Sequence, residues 1–230
     1  MKNIHPPYLY LLVIIMLISI KGYAQPRSKY DTINLINGKV WVPKINIAKH
    51  NTFFLQNLNQ KGNLKINETW FKNSVFGYDL YSNELVVNIK SSKNAKRYIV
   101  LNKDILNAFE LRSNELVYHF VRGNNLHQAL SPYQYYQLTH TPDPNLKYVV
   151  LQTLKRKLTS SGTSDYKFVP ANKLFIIKGD QLIPIGGKKD LLSIFPDKKK
   201  EVKDFIRSKN IKISSKYPQA IIPILHNFSN

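Results

Sequence analysis

The chain has 230 residues, with 34 Lys and Arg against 14 Asp and Glu, a formal net charge of +20 and no cysteine. Without cysteine there is no disulfide framework, no thiolate metal site and no lipid anchor of the bacterial lipoprotein type. An ordinary apolar core must hold the fold. The basic surplus favours anionic partners such as lipid headgroups or acidic glycans, although a solvated lysine-rich surface accounts for it equally well.

Residues 1–24 read as a secretory signal peptide. Lys2 opens it, Tyr8 to Ile20 is an uncharged apolar run of 13 residues, and Gly22 and Ala24 supply small residues before an expected cut between Ala24 and Gln25. A membrane-spanning helix needs ~20 apolar residues, so this run is too short for an anchor. Lys2 and Lys21 lie in the stretch and no acid does, which leaves 32 basic and 14 acidic residues, +18, in the expected exported chain. The expected location is the periplasm or the exterior, with no membrane-spanning segment after cleavage.

Residues 25–36 read as a loose lead-in, and residues 37–187 have the texture of an antiparallel β body. Short runs of Val, Ile, Tyr, Phe and Leu alternate with Asn, Gly, Ser and Pro. Strands are expected at 38–45 and 51–57, followed by a hairpin over 74–89. There Phe76, Tyr78 and Leu80 share one face, Leu85, Val87 and Ile89 share another, and Ser82-Asn83 forms the turn. Further strands are expected at 96–102, 105–111, 116–121 and 131–140. The run 146–159 is long for one strand and is expected to bend or bulge. The loop 159–165 is polar, and 172–187 is a hairpin about Gly179-Asp180. About ten short strands without intervening helices predict a mainly β, α+β fold: an antiparallel meander forming a barrel, a roll or a bent sheet.

After Gly187 the apolar period changes from 2 to 3.6. Leu191, Leu192 and Phe195 predict a short helix that Pro196 ends. Asp197 is placed to cap a second helix with Val202, Phe205 and Ile206 as its apolar stripe. A third helix is expected at about 216–227, weakened by Pro218 and Pro223. Residues 188–230 thus read as two or three helices packed on the β body as part of the same domain.

On the second helix Lys199, Lys200, Lys203 and Arg207 lie opposite the apolar stripe. They are the candidate anion-binding residues, although a solvated helix face explains them as well, because no large aromatic residue stands beside them. Tyr133 and Tyr135 share a strand face and form a candidate aromatic platform for a sugar or peptide, with packing against the next strand as the alternative. Asp79 and Glu84, at the two sides of one turn, are the only carboxylates placed to act as a pair, and two acids at a hairpin end read first as turn formers. The segment 185–190, Ile-Gly-Gly-Lys-Lys-Asp, could offer backbone amides to an anion at a helix start but lacks P-loop spacing. The histidines at 50, 119, 127, 140 and 226 show no metal-ligand spacing, and no hydrolase motif is present. No cofactor is expected and no catalytic residue is assigned.

Three segments, 78–87 (YDLYSNELVV), 101–111 (LNKDILNAFEL) and 188–206 (KKDLLSIFPDKKKEVKDFI), together resemble a family of uncharacterised exported proteins of about this size from Gram-negative bacteria. The resemblance implies export and one β-rich unit with a helical end. It carries no activity and no site residue. The combined expectation is a non-catalytic binding or structural component of the bacterial cell envelope, with anionic envelope components or another envelope protein as partner. Contact with polyanions or membrane surfaces through a basic face is the alternative, a glycan-active hydrolase stands behind both, and nucleic acid is not the expected partner.

Overall fold

The computed structural model describes residues 39–42, 51–90, 96–158 and 166–229. The expected signal peptide, the lead-in, half of the 38–45 strand, His50 and the 159–165 loop lie outside these residues. Ten strands form one antiparallel sheet. They are β1 (Gln60–Ile66), β2 (Thr69–Asp79), β3 (Glu84–Lys90), β4 (Lys96–Val100), β5 (Leu106–Ser113), β6 (Leu116–Arg122), β7 (Tyr135–His140), β8 (Leu146–Leu151), β11 (Lys173–Lys178) and β12 (Gln181–Pro184). The order is β12-β11-β8-β7-β6-β5-β1-β2-β3-β4, so two meanders join where β1 pairs with β5. The remaining strands, β9 (Leu154–Leu158) and β10 (Tyr166–Pro170), pair only with each other.

The sheet is open but tightly curled. β2 and β7 are four strand steps apart, which would separate them by roughly 19 Å in a flat sheet. Yet the Tyr78 and Tyr135 rings lie 6.4 Å apart, and the Tyr78 hydroxyl reaches the Tyr135 carbonyl at 3.5 Å. Phe109 and Phe120 stack at 4.7 Å between them, and Phe76 packs edge-on to Phe109. All five rings are essentially fully buried. Each contributes ~1.5–3 kcal/mol of burial, and the edge-to-face contacts add to that. Bonds between loops hold the curl. Tyr135 N donates to Asn83 Oδ1 and Thr153 Oγ1 donates to Leu80 O, which ties the β2–β3 turn to the strands it bends toward.

A second core fills the other end of the inner face. Helices α1 (Lys188–Ile194), α2 (Lys199–Ser208) and α3 (Ile222–Phe228), with Ile221 just before α3, lay Leu191, Val202, Ile206, Ile221, Ile224 and Leu225 on Leu146, Tyr148, Val150, Leu174 and Ile176 of β8 and β11. Tyr148 secures this layer by donating to Pro218 O at 2.7 Å. Pro218 starts a 3-10 turn (Pro218–Ile221) and Pro223 lies in the first turn of α3, positions where a missing N–H costs nothing. Neither proline disrupts the third helical segment.

Several local expectations are corrected. Residues 51–57 form a 3-10 turn (Phe54–Gln56) with Leu55 and Gln56 at positive φ, not a strand. This geometry buries both Phe53 and Phe54, which an alternating strand cannot do. The β2–β3 loop spans residues 80–83, four residues rather than two, since Asp79 and Glu84 are the last pair. The run 146–159 divides at Gln152-Thr153 into β8 and β9, which belong to different sheets. Asp197 does not cap α2, whose N-cap position is Lys198. The hairpin about Gly179-Asp180 forms as expected, with Lys178 opposite Gln181 and Gly179 at φ +57°.

Candidate functional site

Asp79 and Glu84 meet as a register pair, but neither is free for acid–base work. Asp79 is 4% exposed and accepts from Trp41 Nε1 (3.3 Å), Tyr81 N (3.0 Å) and Ser82 Oγ (2.8 Å). Glu84 pairs with Lys39 Nζ at 2.7 Å. Burial lowers the pKa of nearby Lys103, against the pull of Glu84 and with a push from Lys39. The carboxylates organise a turn; they do not flank an open cleft.

The histidines are similarly committed or scattered. His119 Nδ1 lies 3.1 Å from Glu110 Oε1, and His127 Nε2 lies 3.0 Å from Asp180 O. Among the described residues no group of three or more His, Asp or Glu converges as a metal site. The helix start at 185–190 already holds an anion of its own: Asp190 Oδ2 accepts from Gly186 N (2.9 Å) and Gly187 N (3.1 Å).

The expected aromatic platform does not form. Tyr133 precedes β7 and is 65% exposed, whereas Tyr135 is 1% exposed and donates to Leu106 O at 3.1 Å. The curl of the sheet draws Tyr135 into the aromatic core, where burial raises its pKa. Lys199, Lys200, Lys203 and Arg207 are exposed on α2 while Val202 and Ile206 are buried beneath. Arg207 leans on Asp204 at 3.5 Å, so part of that face is internally neutralised.

A different site lies between the two cores, and sequence reading missed it. Register places Phe109, Phe120, Gln137, Val150 and Leu174 in one row across the inner face of the sheet. Thr139 stands opposite Tyr148 in the next row. The middle of an otherwise apolar face is therefore polar at β7. Around it opens a groove of about 540 Å³. Its walls are Phe54 and Leu55 from the 3-10 turn, Leu116 to Tyr118 from β6, Tyr148 and Val150 from β8, and Pro218 and Ile222 from the helical layer. Gln137, Thr139, Gln152 and Gln219 provide the polar lining. Gln152 Nε2 donates to Gln137 Oε1 at 2.8 Å, and both side chains remain half-buried.

Among the described residues none that lines the groove is charged, although 21% of the chain is. Leu116 is 62% exposed and Leu55 43%, so apolar surface stands open at the rim. Leu55 holds φ 52°, an unusual conformation for a bulky residue, sustained by Asn51 Nδ2 to Gln56 O and Gln60 Nε2 to Phe54 O, both 2.6 Å. The signal in the sequence is the phase of 135–140: Gln137 and Thr139 share a face with the buried Tyr135.

A second crevice of about 470 Å³ lies between the 142–144 turn and the helices. There Lys178 and Lys198 direct their ammonium groups to Ile194 O and Phe228 O, where cations stabilise helix C-termini. Among the described residues no helix is long and apolar enough to cross a membrane. No family model, curated protein or solved structure matches the chain.

Proposed function

We propose that the protein is a non-catalytic binding component of the bacterial cell envelope that holds a small uncharged ligand in the groove over β6, β7 and β8. The polar break at Gln137 and Thr139 on a core-facing strand carries this reading. Local departures from a fold's own pattern concentrate at functional sites, and the groove has the size of a small-molecule site. Three glutamine amides and a threonine hydroxyl offer both donors and acceptors, and apolar walls surround them. A charged ligand would be left there without a countercharge, which is costly. Envelope location rests on the expected signal peptide and on the resemblance to exported proteins. An NMR titration tests the reading, with an uncharged N-acetylated disaccharide and an end-capped apolar dipeptide as probes. At least one probe should shift the side-chain amide signals of Gln137, Gln152 and Gln219; shifts confined to other residues would sink the proposal.

A second reading, adhesion to anionic surfaces of the envelope, is favoured by the net charge and by basic side chains that project into solvent without acidic partners among the described residues. Its test is the salt dependence of sedimentation with anionic vesicles, which should fall steeply as salt rises.

A further inference from the structure

We infer that the β9–β10 ribbon is the element that docks on an anionic lipid bilayer, an inference that rests on the second reading above. At Gln152-Thr153 the chain leaves the large sheet. The ribbon is closed at its base by Ala171 N donating to Thr153 O (2.9 Å) and Thr153 N donating to Asn172 Oδ1 (3.0 Å). Directly opposed residues share a face. Lys157 stands opposite Lys167, and Lys155 opposite Val169, so three exposed lysines gather on one face. Neither strand contains an acid, and no carboxylate among the described residues pairs with any of the three. Like charges opposed across a two-stranded ribbon weaken an already marginal element, and an anionic surface would remove that cost.

The other face carries Arg156 opposite Phe168 and Leu158 opposite Tyr166. Near the base it is anchored, with the Arg156 guanidinium 5.2 Å from the Tyr81 ring centroid and 5.8 Å from that of Tyr166, and Tyr81 against Phe168 at 4.9 Å. Toward the far end of the ribbon Leu158 is 61% and Tyr166 38% exposed. With Leu158 and Tyr166 on one face and the lysines on the other, the ribbon suits a bilayer interface that its far end enters edge-on, where the ring and aliphatic group enter the headgroup layer and the lysines meet phosphates. A purely electrostatic partner has no use for Leu158. The α2 face has no such pair, and its Arg207 is shared with Asp204.

The test uses the expected exported chain, residues 25–230, with vesicles of equal parts phosphatidylglycerol and phosphatidylcholine, and with phosphatidylcholine alone. The chain should bind the anionic vesicles only. Replacing Lys155, Lys157 and Lys167 together by Gln should weaken partitioning on the order of a hundredfold, given about fivefold per lysine near an anionic surface. Leu158→Ser with Tyr166→Ser should weaken it as well, while Gln at 199, 200 and 203 should leave it nearly unchanged. Circular dichroism of each variant should match the parent. If the parent ignores anionic vesicles, both the second reading and the ribbon assignment fail. If only the α2 variant loses binding, the reading survives and the ribbon assignment is overturned. If the Leu158 and Tyr166 changes have no effect and heparin displaces the protein fully, the partner is a soluble or glycan polyanion and the bilayer assignment is overturned.

Discussion

Replacing Asp79 by Ala should cost about 3–5 kcal/mol of folding stability. The carboxylate lies under the β2–β3 turn and accepts three hydrogen bonds, two of them at 3.0 Å or less. Bonds to a charged acceptor are worth ~1.5–3 kcal/mol each, and the 3.3 Å bond from Trp41 counts for less. Removing the acceptor also leaves the indole N–H of a 7% exposed tryptophan without its partner. For a chain of this size the loss corresponds to a fall in Tm of roughly 10 °C. Asp79→Asn keeps one carbonyl acceptor and should cost about half as much. Urea unfolding followed by tryptophan fluorescence reads the change directly, because Trp41 is one of only two tryptophans. An Asp79→Ala protein within about 0.5 kcal/mol of the parent would refute the structural role assigned to this carboxylate and reopen a catalytic one.

Gly62→Ala should destabilise by more than about 2 kcal/mol in the same assay, since its Cβ would be driven into the Glu110 carbonyl oxygen of the paired strand β5. Gln137→Leu combined with Gln152→Leu should leave stability within about 1 kcal/mol or raise it, because a mutually bonded polar pair gives way to apolar groups on an apolar face. A large loss would mean the pair is structural. Burial raises the pKa of Tyr78, Tyr135 and Tyr148 above the ordinary value near 10. A folded pKa above the unfolded one contributes stability that is complete below about pH 10 and is lost as pH climbs through the folded values. Spectrophotometric titration should therefore show these phenols ionising only above pH 10, together with alkaline unfolding.

The β texture, the helical end and the 172–187 hairpin were legible in the sequence because their apolar periods match their faces. Strand β1 was not. Lys61, Gly62, Asn63 and Lys65 obscure its apolar alternation, yet it lies between β2 and β5. Its lysines point outward, one of them to Glu68 at 2.9 Å, and Gly62 is there because backbone passes too close for a side chain. The break between β8 and β9 was also hidden. Sequence shows one extended run, whereas the change of sheet depends on the Thr153 bonds to Leu80 and Asn172, both distant in the chain. The aromatic platform failed for a related reason: strand phase predicts which residues share a face, but the curl decides which of them the core swallows. That same curl leaves Gln137 and Thr139 uncovered between two cores, and their meaning emerges only when the neighbouring strands are in place.

The most direct test of the groove reading is native mass spectrometry of the protein isolated from cell envelopes. The account predicts a small neutral adduct on the parent chain that is absent from the Gln137→Leu, Gln152→Leu variant, whose fold is retained. No adduct on the parent, an anionic adduct, or the same adduct on both chains would contradict it.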